Sequence, residues 1–138
     1  MSSVEATSPD DLTQDDWMRV SLIDVHLNVR CGVHPWERHE ERPNRIIVNV
    51  DMFSSAKLIA DRSAELPIIN YDTVREGLLK WEAREHVDYL ETLVEDAIRL
   101  CFEDPRVQAC KVSIVKPDIF NEAGGAGVEM YRRRTPGS

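Results

Sequence analysis

The spacing of apolar residues changes twice along the chain, and this change constrains the fold more than any other feature. Apolar residues recur at every second position in two segments, then at three- and four-residue intervals in two more, and then at every second position again. A period of two predicts β-strands, whereas a period near 3.6 predicts helices. The sequence therefore predicts the element order β-β-α-α-β-β.

The first two segments predict an antiparallel hairpin with a long loop. In "VSLIDVHLNVR" the predicted apolar row is Ile23, Val25, Leu27 and Val29. In "RIIVNVDMF" the row is Ile46, Val48, Val50 and Met52. The connecting segment, "CGVHPWERHEERPN", contains glycine and two prolines, which favour a loop.

The two middle segments predict helices. Asn70 is a plausible N-cap, and Val74, Leu78 and Trp81 follow it at helical spacing. The second helix carries a complete apolar stripe: Leu90, Leu93, Val94, Ala97, Ile98 and Cys101.

The third strand, "CKVSIVKP", ends its apolar row with a lysine. Cys110, Val112, Ile114 and Lys116 share one face, and the Gly-rich turn "DIFNEAGGAG" then leads to a last strand, "VEMYRRR". Lys116 either extends its ammonium into water at the strand end or points into a site.

Together these elements predict an α+β fold, an antiparallel four-stranded sheet with both helices on one face. We expect one domain over residues 18–133, a flexible acidic arm over 1–17 and a short tail over 134–138. No strand is obviously protected against edge pairing, so we also expect a homo-oligomer.

Charge and composition limit the possible partners and cofactors. A net charge of −8 argues against nucleic-acid and anionic-membrane surfaces. The N-terminus lacks the features of a signal peptide and no apolar run is long enough to span a bilayer, so we expect a cytoplasmic protein. Three widely spaced cysteines predict reduced, buried thiols. The histidines, including the loop pair His34 and His39, lack recognised metal spacing, so no metal is predicted.

Four residues are candidates for chemistry, and each has a plainer interpretation. Glu37 lies in a charged loop and could be solvated, and Tyr71 at the first helix could be a core aromatic residue. Glu91 could complete a capping box with Asp88, or could accept two parallel N–H bonds from a heterocycle edge. Lys116, if partly desolvated, suits acid–base catalysis, and a Schiff-base role is the alternative.

The combination of motifs resembles the dihydroneopterin aldolase family. The resemblance covers about residues 19–133 and depends on five segments in order. These are "CGVHPWER" with Glu37, "IINYDTV" with Tyr71, "YLETLVEDAI" with Leu90 and Glu91, "VSIVKP" with Lys116, and "GAGVEMYR". The segments "LPIIN" and "NEAGGAG" depart from the family's usual pattern.

The resemblance implies the tunnelling fold, in which subunits join into tetramers or octamers, and retro-aldol cleavage of 7,8-dihydroneopterin without metal, cofactor or Schiff base. It implies that Glu91, with the backbone of Leu90, anchors the pterin and that Lys116 transfers protons. Tyr71 from a neighbouring subunit would orient or protonate the reacting carbon, and Glu37 would position Lys116. The alternatives are a dihydroneopterin triphosphate 2′-epimerase, for which Arg38, Arg42 and Arg45 could supply a cationic pocket, and a non-catalytic pterin- or purine-binding module.

Overall fold

The structure, a computed structural model, describes residues 16–39, 41–55 and 69–135. The strands are β1 (Trp17–Val29), β2 (Asn44–Ser55), β3 (Ala109–Lys116) and β4 (Ala126–Arg133). The helices are α1 (Tyr71–Leu79) and α2 (Leu90–Phe102), and short 3-10 turns occur at Pro35–Glu37 and Lys80–Ala83. The element order is the one predicted from the sequence.

The predicted terminal segments lie mostly outside the described residues. Of the arm expected over residues 1–17, residues 1–15 are not described, and β1 already begins at Trp17. Of the tail, residues 136–138 are not described. No helix within the described ranges is long and apolar enough to cross a membrane.

The four strands form one antiparallel sheet in the order β1-β2-β3-β4. Its centre is apolar because Val48 lies opposite Ile114 and Val50 lies opposite Val112. The sheet edges are β1 and β4.

The core lies between one face of this sheet and the two helices. Every residue of the apolar rows predicted for β2 and α2 is buried. Val74 and Leu78 of α1 join the same cluster, and α2 packs on β3 and β4, so both helices cover one face. The cysteines are buried free thiols, as predicted. The predicted α+β architecture is therefore confirmed.

The apolar row of β1 is the one that differs from the prediction. Ile23 is 75% exposed, because the pairing register shifts between Leu22 and Val25 at a β-bulge. Asp24 has a left-handed backbone (φ +54°), and its N–H donates to Asn49 Oδ1 at 2.8 Å. The extra residue reverses the alternation, so Leu22 faces the core where Ile23 was expected.

Candidate active site

Backbone pairing fixes the loop after β1 against the segment that precedes α2. Cys31 and Val87 form an isolated parallel bridge, and the Gly32 N–H donates to the Val87 carbonyl at 3.0 Å. The His86 ring donates from Nε2 to the Gly32 carbonyl at 2.8 Å. These bonds bring the loop that carries Glu37 next to the start of α2.

Glu37 is buried, although the loop around it is rich in charge. Its side chain is only 1% exposed. The Asn44 side chain donates to the carbonyls of Cys31 at 2.6 Å and Glu37 at 3.1 Å, which holds the two parts of the loop together. The solvated-loop interpretation of Glu37 is therefore wrong.

The buried carboxylate pairs with Lys116 at the end of β3. Lys116 Nζ donates to Glu37 Oε2 at 2.6 Å, and the lysine side chain is 13% exposed. The alternation along β3 correctly placed Lys116 on the buried row. A lysine extended into water is excluded by this burial and pairing.

Hydrogen bonds determine the protonation state of Glu37. Burial raises its pKa, but the donors Lys116 and His34 together outweigh burial and hold the pKa below its usual range. Because the folded-state pKa is depressed, the pair contributes its full stability above the unfolded-state pKa and loses it as the pH falls through the folded-state pKa. The Glu37 carboxylate is therefore ionised at neutral pH.

Cys31 lies buried near the ion pair. Burial raises its pKa to about 11, with Lys116 opposing and Glu37 adding to the effect. The thiol is therefore protonated and a weak nucleophile at neutral pH.

A cavity of about 220 Å³ connects the ion pair to the start of α2. Its walls come from the loop after β1, the first turn of α2 and the facing ends of β3 and β4. The lining residues are Val33, Asp88, Tyr89, Leu90, Glu91, Lys116, Ala126, Gly127 and Val128.

Glu91 lies on the cavity wall as the second residue of α2 and is exposed. Within the described part of the chain, its carboxylate forms no hydrogen bond or ion pair. The capping-box interpretation is wrong, because the N-cap is Tyr89, without a side-chain cap bond, and Asp88 instead pairs with Arg38 at 3.0 Å. Glu91 is thus available to a ligand.

Of the four candidate residues, Tyr71 does not lie near the cavity of its own chain. It opens α1, after Asn70 caps the helix by accepting from the Asp72 N–H at 2.9 Å. Its side chain is 50% exposed, so it is not a core aromatic residue, and it is not among the described residues that line the cavity. The structure therefore unites Glu37, Lys116 and Glu91, and leaves Tyr71 on the surface.

Sequence reasoning missed the aromatic residues beside Glu37. His34 Nδ1 lies 2.8 Å from Glu37 Oε1, and the His34 ring stacks on Trp36 with centroids 4.4 Å apart. Phe120 meets the His34 ring edge-on at 5.9 Å. The three-residue spacing of His34 and Glu37 was the available signal. Among the described residues, no group of His, Cys, Asp and Glu is arranged to hold a metal ion.

Comparison with known proteins identifies the class and then the family. The α+β fold and the buried Lys–Glu pair beside an open carboxylate define a candidate acid–base enzyme. The sequence profile of FolB, dihydroneopterin aldolase, matches residues 20–131. The chain therefore belongs to the dihydroneopterin aldolase family, whose members are aldolases and thus carbon–carbon lyases.

Solved structures agree on the fold. A Burkholderia thailandensis dihydroneopterin aldolase bound to guanine is 24% identical, with a TM-score of 0.72 over 87% of this chain and 93% of that one. Escherichia coli dihydroneopterin aldolase in complex with neopterin is 16% identical, with a TM-score of 0.71 over 83% of this chain and 98% of that one. No curated protein sequence matches the chain.

Gly32 provides a direct test of the loop geometry. It has a φ of +123°, and a Cβ at this position would overlap the Glu37 carboxylate. We expect Gly32→Ala to lower the free energy of unfolding by about 2 kcal/mol, from backbone strain and displacement of the buried ion pair. Urea unfolding measures the change.

The matched control is Gly124→Ala, because a Cβ there meets nothing within 4 Å. We expect it to change stability by less than about 0.5 kcal/mol. Equal stability of the two variants would contradict the packing of Gly32 against Glu37.

Proposed function

We propose that the chain cleaves 7,8-dihydroneopterin by a retro-aldol reaction, giving 6-hydroxymethyl-7,8-dihydropterin and glycolaldehyde for folate biosynthesis. The observation that carries the proposal is the buried Glu37–Lys116 ion pair, whose lysine opens onto the same cavity as Glu91. Family membership supports the reaction, and the relatives bound to neopterin and guanine support a pterin as the ligand.

Glu91 is the proposed anchor for the pterin. Its carboxylate lacks partners among the described residues and can accept two parallel N–H bonds from the amino-pyrimidinone edge. The backbone of Leu90 assists, and the side chains of Val33 and Val128 offer apolar contacts to the flat ring.

Lys116 is the proposed acid–base group. After its ammonium has released a proton to solvent, the neutral amine takes, through a water, the proton from the hydroxyl on the second side-chain carbon, and the bond between the first and second carbons breaks. The electron pair enters the ring imine, glycolaldehyde leaves, and a proton then returns to the first carbon. Glu37 balances the charge on Lys116 throughout.

The chemistry of the substrate favours proton transfer over a Schiff base, because the electrons released by cleavage can enter its ring imine and no covalent lysine is needed. The substrate's own ring imine accepts the electrons, so the proposed reaction requires no cofactor.

A second subunit is proposed to complete the site. The cavity, about 220 Å³, is smaller than the roughly 300–1,000 Å³ usual for small-molecule sites. Tyr71 is half exposed, and the edge strands β1 and β4 offer pairing surfaces. We infer a homo-oligomer, tetramer or octamer, in which Tyr71 of one subunit orients or protonates the reacting carbon at its neighbour's Lys116. The cytoplasmic location stays a prediction.

Two alternative functions receive less support. A triphosphate epimerase needs unpaired cations, but two of the three candidate arginines are paired, Arg38 with Asp88 at 3.0 Å and Arg45 with Asp118 at 3.0 Å. A binding module without catalysis needs Glu91 but does not need a buried ion pair, which is costly to desolvate.

Substitutions at Lys116 and Glu91 separate catalysis from binding. We expect Lys116→Gln, which retains a donor to Glu37, to lower kcat by about 10²- to 10⁴-fold and to leave the pterin Kd nearly unchanged. We expect Glu91→Ala to weaken pterin binding by at least about tenfold, with the melting temperature retained. Steady-state kinetics, calorimetric titration and thermal unfolding measure the three quantities.

Lys111→Gln is the matched control, because Lys111 lies on the opposite face of the same strand and is 37% exposed. It should retain wild-type turnover. Unchanged turnover in Lys116→Gln would remove Lys116 from the mechanism, and intact binding with a lower melting temperature in Glu91→Ala would indicate a structural role instead.

A parallel assay of dihydroneopterin and its triphosphate distinguishes the aldolase from the epimerase. We expect glycolaldehyde release from dihydroneopterin, and slower turnover of the triphosphate because Arg38 and Arg45 are already paired. Turnover of the triphosphate alone, without glycolaldehyde, would favour the epimerase. Binding of both compounds without turnover of either would favour the binding module.

A further inference from the structure

His34 makes two hydrogen bonds to the same oxygen of Glu37. Its ring nitrogen Nδ1 lies 2.8 Å from Oε1, and its backbone N–H donates to that oxygen at 3.2 Å. The other oxygen, Oε2, accepts from Lys116 at 2.6 Å. The carboxylate is thus held from both ends, by a loop residue on one side and by the end of β3 on the other.

The hydrogen bond to Glu37 shows which nitrogen of the His34 imidazole carries a proton. An ionised carboxylate only accepts hydrogen bonds, so Nδ1 carries the hydrogen. The neutral Nδ1–H tautomer and the protonated ring both make this bond. Trp36 stacks on the ring with centroids 4.4 Å apart, and Phe120 meets it edge-on, which limits rotation of the imidazole.

We propose that His34 is a positioning residue, which holds the Glu37 carboxylate in the orientation that directs Oε2 at Lys116. The inference deepens the proposed function, since Lys116 transfers protons only when its nitrogen is held at the cavity wall. Without the His34 ring donor, the hydrogen bonds left to the carboxylate within the described residues come from Lys116 and the His34 backbone N–H. His34 acts through Glu37 and is not assigned a contact with the substrate.

Other charged and titratable groups face Glu37, and they also affect how the activity of the site depends on pH. Lys116 approaches from β3, and the buried Cys31 thiol lies near both members of the pair. Arg45 and Asp118 line a small cavity together with Glu37, and they pair with each other. None of these groups occupies the position of His34 at Oε1.

Two substitutions separate the hydrogen bond from the aromatic packing. His34→Phe retains a ring to stack on Trp36 and removes the donor, whereas His34→Asn removes the ring and places an amide N–H near the position of Nδ1. We expect His34→Phe to lower kcat roughly tenfold, the effect of one charge-assisted hydrogen bond, with KM within about twofold. We expect His34→Asn to stay within about threefold of wild type. Equal kcat values in the two variants would overturn the proposal.

A carboxyl titration tests the same bond without relying on turnover. With ¹³C-labelled glutamate, the Glu37 signal is assigned by its loss in Glu37→Gln. Removing a donor raises the pKa of a carboxyl, so we expect Glu37 to titrate at higher pH in His34→Phe than in wild type or His34→Asn. An unchanged titration would overturn the inference. A shifted titration in a protein that turns over no pterin would support it while refuting the proposed function.

Discussion

The structure depends on one buried ion pair, between Glu37 in the loop after β1 and Lys116 at the end of β3. Burying two charges costs more than their attraction returns unless further hydrogen bonds satisfy them. Here His34 and the lysine satisfy both carboxylate oxygens. The bridge between Cys31 and Val87 holds the loop in place for this pairing. The loop is therefore built around the carboxylate, which explains why Gly32 must lack a side chain.

The same arrangement links the fold to the proposed chemistry. The loop after β1 pairs with the segment before α2, so the ion pair and Glu91 share one cavity wall. One carboxylate is fully partnered and buried, while the other is exposed and lacks partners in the described chain. Their environments suit different roles, with Glu37 supporting proton transfer by Lys116 and Glu91 binding a ligand.

Local periodicity predicted the helices and strands, whereas the β-bulge and the contacts of Glu37 depend on tertiary structure. The stripe on α2 and the row ending at Lys116 were readable because one face of each element is apolar. The bulge at Asp24 was not readable, since its left-handed backbone depends on pairing with Asn49 of the next strand. The burial of Glu37 and its bond to His34 were not readable from the pattern, because a charged loop gives no sign of the lysine 79 residues away, and only the family resemblance associated Glu37 with Lys116. The expected role of Tyr71 lies beyond a single chain.

The central claim is that Lys116, held by Glu37, acts on a pterin anchored by Glu91. A crystal structure of the oligomer with a bound pterin tests it most directly. The account predicts two N–H···O bonds from the amino-pyrimidinone edge to Glu91, with Lys116 Nζ within one water of the substrate's side-chain hydroxyls and Tyr71 of a neighbouring subunit facing them. A pterin bound away from Glu91, or one whose side chain points away from Lys116, would contradict the account.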